Sequence, residues 1–410
     1  MMLNSLMKTS RGFWDVQRFF RRIRRAAGFL KSREGARRLW KYSFLVSALR
    51  LLGRLSEVEE ACSRILFSKR KAVPHLKGPA SRDGISIVVP NYNGMRYFDT
   101  VIPSFFAALR GFEQSEVLVV DDVSSDGSVE YLREKYPAVR LIALDKNVGF
   151  GRACNVGITN ARHRAVYLLN SDIILEQDGI GPMLESLEKE DTFAVTPKLY
   201  LWDFVTFHSG INAAKMNSEC FPVWNEANYV NTPVVEETSP TFYAIGAAMF
   251  VDKEKFLQLG GFDPIYVPYC WEDIDICYRA WKRGWRVLYE PTSIAYHKSH
   301  GTLADVTKPT AKLAIECKNS LLFMLKNIHD KRLLGFHLEY VARCARAGLD
   351  NGTFEYYDAC KMVLRQLSSV LRGRMRERRY ARVQDAAIFA LTYDAYSAAL
   401  RRKGIEVAGP

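Results

Sequence analysis

The stretch that decides the fold is Ile85-Ser86-Ile87-Val88-Val89-Pro90, closed by the polar turn Asn91-Tyr92-Asn93-Gly94. It reads as a strand buried on both faces, because apolar and polar positions do not alternate along it. The same texture returns in Glu116-Val-Leu-Val-Val-Asp121-Asp122, in Val139 to Leu144 and in Ala165-Val-Tyr-Leu-Leu-Asn170. Helical segments lie between these runs, one of them opening at Ser128 after the turn Ser124-Ser125-Asp126-Gly127. β-Branched runs alternating with helices indicate a mostly parallel sheet in an α/β domain.

In such a sheet a ligand sits beyond the carboxyl ends of the strands. The polar residues collect there: Asn91, Asn93, Asp121, Asp122, Asn147, Asn170 and Asp172. Any one of them alone is an ordinary turn-capping residue. All the strand ends being polar together is harder to assign to capping. Asn147-Val148-Gly149-Phe150-Gly151-Arg152 is a glycine-rich turn opening a helix, able to present backbone amides and Arg152 to a phosphate. It has neither the lysine and spacing of a P-loop nor the G-x-G-x-x-G pattern.

A second concentration of charge is Tyr269-Cys270-Trp271-Glu272-Asp273-Ile274-Asp275-Ile276, answered by Tyr296-His297. Three carboxylates within four positions, beside two large aromatics, are costly to desolvate. Two local readings stand side by side. One is a helix start, with the acids at the positive end of a helix over Ile274 to Arg283. The other is a place where a charge or a proton is handled.

The charge of +13 over 410 residues is unevenly spread. Residues 1–80 hold 19 Lys/Arg against 5 Asp/Glu, residues 81–302 hold 20 against 29, and residues 303–410 hold 19 against 11. A basic arm and a basic tail thus flank an acidic middle, which points to anionic partners for the flanks. In the arm, Phe13, Val16, Phe20, Ile23, Ala27 and Leu30 recur at helical spacing, opposite Arg18, Arg21, Arg22 and Arg25. Such a basic amphipathic helix suits an anionic membrane surface, or else docks on the protein's own core. Nucleic acid is not expected as a partner, since no recognisable nucleic-acid module accompanies the basic residues. Pro74, Gly78 and Pro79 mark a linker. The tail reads as helices over Lys312 to Lys326, Leu333 to Arg346 and Phe354 to Leu371, followed by the dense positive run from Arg372 to Arg379. The expected units are therefore a basic helical arm (1–80), a catalytic domain (81–302) and a helical extension (303–410). The eight scattered cysteines form no C-x-x-C pair, so reduced thiols and a cytoplasmic compartment are expected.

The order Val88-Val89-Pro90-Asn91-Tyr92-Asn93, Val119-Val120-Asp121-Asp122-x-Ser124-x-Asp126, Asn147-x-Gly149-Phe150 and Leu169-Asn170-Ser171-Asp172 resembles family 2 glycosyltransferases. Gly246-Ala-Ala-Met-Phe-Val251, Gly260-Gly261-Phe262-Asp263, Trp271-Glu272-Asp273-x-Asp275 and His297 with Gly301-Thr302 continue the resemblance over roughly residues 84–302. The texture is nearest to bacterial rhamnosyl- and galactofuranosyl-transferase-like members. The resemblance implies the GT-A fold, Rossmann-like and mostly parallel, and an inverting transfer from a nucleoside-diphosphate sugar. It implies that Asp122 holds the base, with Pro90 and Tyr92 lining the base pocket. Asn93, Asn147, Gly149, Arg152, Asn170, Ser171 and Gly246 complete the donor side. Asp172 and His297 would hold a divalent metal, Mn²⁺ or Mg²⁺, and Asp273 would be the catalytic base. Tyr269, Trp271 and Glu272 would lie on the acceptor side. One departure is plain: Asn170-Ser171-Asp172 lacks the first carboxylate of the family's D-x-D metal motif.

The chemistry agrees with the resemblance. Displacing a nucleoside diphosphate builds negative charge on the leaving phosphate, which a cation offsets, and the attacking hydroxyl must give up its proton to a carboxylate. The expected protein is a metal-dependent inverting glycosyltransferase, peripheral on the inner face of the cell membrane, with a dTDP- or UDP-sugar donor (possible sugar rhamnose) and a lipid-linked or cell-surface glycan acceptor. Two alternatives remain: a nucleotide-sugar-utilising transferase of another type, and a non-catalytic membrane- or glycan-binding scaffold.

Overall fold

The computed structural model describes Ser47 and residues 84–216, 222–224, 235–298, 309–351 and 353–404. Apart from Ser47, the basic arm lies outside the described residues, as do Cys62, Cys220 and Gly301-Thr302. The four strands read from the sequence are β1 (Ile85–Asn91), β2 (Glu116–Asp121), β3 (Arg140–Ala143) and β4 (Ala165–Leu169). Between them run α1 (Phe98–Ala108), α2 (Ser128–Lys135) and α3 (Phe150–Asn160). Then come β5 (Ile173–Leu175), α4 (Ile180–Leu187), β6 (Thr192–Leu201), β7 (Phe207–Ser209), β8 (Ala214–Met216), β9 (Pro222–Trp224), β10 (Ser239–Pro240), β11 (Ala248–Asp252), α5 (Lys253–Gln258), α6 (Glu272–Arg283) and β12 (Arg286–His297).

The main sheet has the order β10-β12-β6-β11-β4-β1-β2-β3, with β5 on β12 and β7 on β6. β1, β2, β3 and β4 are parallel neighbours. β11 is antiparallel to both β4 and β6, and β12 runs parallel to β6. The carboxyl ends of β1, β2, β3, β4, β6 and β12 therefore all reach the same edge. This is the GT-A arrangement, a mostly parallel sheet flanked by helices.

The uninterrupted apolar runs are explained by two cores. Val88, Leu118, Leu168 and Met249 face one of them. Ile87, Val89, Val117 and Val119 alternate with these and face the other, against Val101 and Phe105 of α1. Burying each such side chain contributes roughly 1.5–3 kcal/mol. On the first face α3 lies so close to β1 that a Cβ on Gly157 would stand 2.3 Å from Val88 Cγ1.

The tail forms α7 (Pro309–Asn327), α8 (Lys331–Asn351), α9 (Glu355–Arg365), α10 (Leu367–Tyr380) and α11 (Asp385–Arg402). The single helix expected over Phe354 to Leu371 is divided at Gln366, whose φ of −101° and ψ of 5° leave the helix. Gln366 caps both pieces: its amide bonds Val363 O, and its carbonyl accepts from Ser369 and Val370. The last helix, α11, was not read from the sequence. Leu322, Phe323, Val363, Val370 and Phe389 of the tail share one core with Val88, Leu168 and Ile276. Among the described residues no helix is long and apolar enough to cross a membrane.

Candidate active site

The sheet's carboxyl edge is built from the residues that closed each strand in the sequence. Asn91, ending β1, is 1% exposed. Its Nδ2 donates to Asp121 Oδ2 at 2.8 Å and to Ser124 Oγ at 3.1 Å. Asp121 Oδ1 accepts from the Ser124 amide at 2.9 Å, so two adjacent strand ends are stitched together. The neighbouring Asp122 pins the glycine-rich turn, accepting from the amides of Val148 at 2.7 Å and Gly149 at 2.9 Å. Asn147 adds a bond from its side chain to Asp122 O. Gly149 sits at φ +83°, a conformation favouring glycine, and opens α3 with exposed Arg152 on its first turn. Pro90 is buried, Tyr92 is exposed, and the Asn93 amide donates to Ser124 Oγ at 2.9 Å. Asp122, the carboxylate expected to meet the nucleotide, thus also holds its neighbouring loop, and each of its oxygens retains a further lone pair.

At the end of β4 the Asn170 amide donates to Ala247 O at 2.9 Å, which places residues 170–172 beside Gly246. The Asn170 side-chain oxygen is buried without a hydrogen-bond partner. Ser171 and Asp172 are buried too. β12 delivers His297 to the same edge, with Nε2 3.3 Å from Asp172 Oδ1. His297 Nδ1 is buried and unpartnered, and the His208 ring lies 5.1 Å from the His297 ring. Among the described residues no group of three or more His, Cys, Asp or Glu stands together as a metal cage. The Asp172–His297 pair fits a cation that takes its other ligands from a diphosphate and water, which is how Mg²⁺ is commonly held. A carboxylate oxygen with an imidazole nitrogen also suits Mn²⁺.

The second cluster resolves into both of its local readings. α6 does start at Glu272, with three acids in its first turn. Its lead-in is unusual, since Cys270 (φ 65°) and Trp271 (φ 73°) are consecutive non-glycine residues in the left-handed region. Each costs of order 1–3 kcal/mol and persists only when its surroundings over-determine it. Trp271 and Tyr269 are buried, and the Trp271 ring lies 5.4 Å from Phe323 of α7, so these aromatics belong to the core. Asp273 Oδ2 accepts from the Gly246 amide at 2.8 Å, while Oδ1 accepts from Ile274. A side chain at position 246 would crowd this contact, its Cβ standing 3.2 Å from Asp273 Cβ.

Burial raises the Asp273 carboxyl, although the Gly246 and Ile274 amides pull the other way. Glu272 is pushed up to about 8 by burial and then by the charge on Asp273. Burial raises both carboxyls, and they titrate as a coupled pair. Asp275 differs completely. It is fully buried and receives Arg279 Nε at 2.7 Å, Lys326 Nζ at 2.9 Å, Asn327 Nδ2 at 2.7 Å and the Tyr266 hydroxyl at 2.8 Å. Burial alone would raise this carboxyl, yet the Arg279 and Lys326 cations hold it well below the usual range. The three acids that the sequence left together are thus one structural anchor and one coupled pair. Sequence reasoning missed the partners of that anchor. The available signal was Lys318-Asn319 repeated as Lys326-Asn327, two helical turns apart on one face of α7.

A sheet of this topology, with amide-lined turns and two sets of acids on its carboxyl edge, has the architecture expected of a GT-A glycosyltransferase. Residues 86–259 match the profile of "Glycosyl transferase family 2". The matched segment holds the strand-end motifs from Val88 to Val251 that resembled this family. It is 25% identical over 264 residues to an N-acetylglucosaminyl-diphospho-decaprenol L-rhamnosyltransferase of Mycobacterium tuberculosis (strain ATCC 25618 / H37Rv), covering 59% of this chain and 84% of the relative. A poly-beta-1,6-N-acetyl-D-glucosamine synthase of Staphylococcus aureus (strain COL) is 23% identical over 239 residues, 57% of this chain and 54% of its own. Among solved structures, mannosyltransferase PcManGT from Pyrobaculum calidifontis, in complex with GDP-Man and Mn2+, aligns at 16% identity and a TM-score of 0.45 over 88% of this chain and 98% of its own.

Proposed function

We propose that the protein transfers a sugar, with inversion, from a dTDP- or UDP-sugar to a hydroxyl of a lipid-linked or cell-surface glycan, and that rhamnose is the sugar moved. The observation that carries this reading is the shared edge, where Asp172 with His297 and Gly246 with Asp273 adjoin through the Asn170–Ala247 bond. Asp122, Asn147 and Gly149 shape the nucleotide side, and Arg152 stands ready for phosphate charge. Asp172 and His297 would hold a Mn²⁺ or Mg²⁺ ion, which when bound supplies charge stabilisation for the leaving diphosphate. Asp273 takes the proton from the attacking hydroxyl, and the Gly246 amide keeps its Oδ2 aimed. Glu272, neutral beside it, adds no second charge to the acceptor side at neutral pH. The rhamnosyltransferase relative supports both the sugar and a lipid-diphosphate acceptor.

The test uses dTDP-L-rhamnose and a synthetic N-acetylglucosaminyl-diphospho-lipid with Mn²⁺. Transfer should occur, and Asp273→Asn should lower kcat by ~10²–10⁴-fold with donor binding unchanged by calorimetry. Undiminished turnover in that variant would refute the proton-acceptor role.

We further propose that the basic arm of residues 1–80 brings the enzyme to the cytoplasmic face of an anionic membrane, where a lipid-linked acceptor resides. Deleting residues 1–70 should abolish cosedimentation with phosphatidylglycerol vesicles. Undiminished cosedimentation of the shortened chain sinks this reading.

A further inference from the structure

Between the sheet edge and the tail lies a contact that the reaction scheme leaves unused. Asn319 of α7 is completely buried, and its Nδ2 donates to three backbone carbonyls: Tyr266 at 3.0 Å, Tyr269 at 2.8 Å and Cys270 at 2.9 Å. Its neighbour Lys318, also buried, donates to Val267 O at 2.6 Å. These carbonyls line the segment that runs into the two left-handed residues Cys270 and Trp271, immediately before Glu272 and Asp273. Seven residues further along α7, Lys326 and Asn327 grip Asp275 inside α6. Phe323, between these two points, meets Trp271 at 5.4 Å and Tyr278 at 5.2 Å. Positions 319, 323, 326 and 327 share one helical face. One stripe of α7 therefore spans the whole lead-in and first turn of α6.

The chemistry of the clamp is specific. A left-handed pair at Cys270-Trp271 leaves its preceding carbonyls turned away from any helix, and a buried carbonyl must find a donor. An amide NH₂ reaching three of them, with one of its two protons shared between carbonyls, meets that need from one side chain, and no apolar residue could. We infer that Asn319 is a positioning residue for the transfer reaction: it holds the strained Cys270-Trp271 turn, and through that turn sets where the Glu272–Asp273 pair stands. The inference rests on the reading of Asp273 as proton acceptor, but the clamp itself is measurable without substrate.

The test compares Asn319→Ala with Val370→Ala, a buried change in α10 away from the turn, chosen for a similar loss of thermal stability. In full-length protein, hydrogen exchange of amides 270–275 should quicken at least ~10-fold in Asn319→Ala, because the turn opens locally. Exchange in α9 and α11 should stay as in the parent. The infrared band of the protonated carboxyl, assigned by its loss in Glu272→Gln, should move its midpoint to lower pH in Asn319→Ala as water reaches the pair. Val370→Ala should move neither. With dTDP-L-rhamnose and the synthetic lipid acceptor, kcat should fall ~30-fold or more while donor KM stays within ~3-fold, as expected for a displaced catalytic group. Exchange quickened evenly over α7 to α11, with the carboxyl band unmoved, overturns the inference. If Asp273→Asn proves active, the proton-acceptor reading falls by itself, and the exchange and infrared results still decide whether Asn319 sets the turn.

Discussion

Asp273 and Asp275 carry the same side chain and differ by environment alone, and Glu272 shares the burial of Asp273. A carboxyl whose pKa rises on folding binds its proton more firmly in the folded state, so stability is lost as pH rises from the unfolded value toward the folded one. For Glu272 that window runs from 4.5 to about 8. Glu272→Gln should therefore raise the melting temperature at pH 8 by several degrees and change it little at pH 4.5, measured by calorimetry at both values. Asp275 works with the opposite sign, its contribution vanishing as pH falls below the ordinary aspartate range. The sequence showed three acids beside two aromatics, and with them the presence of a helix start and a site. It did not show which acid was which, because the counter-charges on Asp275 come from positions 279 and 326, and the amide on Asp273 from position 246. Asp122 and Asn147 were legible as strand-end groups, while their mutual bonds were not.

At the scale of elements, the α6–α7 contact is the one that local pattern could not reveal. The strands β1 to β4 were legible because a parallel strand buried on both faces must be continuously apolar. β12 was not read, and His297 at its end was placed by the resemblance alone. α7 was legible as a helix, but its function as a clamp depends on which loop it meets. Asp275→Asn removes the carboxylate that accepts from both Arg279 and Lys326, leaving Lys326 its bond to Asp263 at 2.6 Å. Leaving buried cations without their partner charge costs about 3–5 kcal/mol. Urea unfolding of this variant should show a loss of that size with an unchanged slope. A loss below 1 kcal/mol would mean that water reaches the cluster.

For the molecule as a whole, the division at residue 303 read from composition marks a change in charge and secondary structure. It does not mark a change of core. Leu322, Phe323, Val370 and Phe389 pack in one cluster with Val88, Leu168 and Tyr278. Further ties are Lys282 to Asp385 and Arg283 to Glu377, both at 2.5 Å. A chain ending at residue 302 should therefore fail to fold, giving no dispersed methyl signals by NMR. A cooperative, native-like product of that length would show the tail to be an accessory.

The grip of α7 on the lead-in to α6 also has a consequence for timing. A ribosome makes the sheet, the nucleotide edge and Asp273 well before it makes Asn319 and Lys326. An emerging chain of that length has every donor-side residue but lacks both the tail's share of the core and the clamp on its acceptor side. Catalytic competence arrives late in synthesis, and truncated products of this gene should bind donor poorly or not at all and transfer nothing.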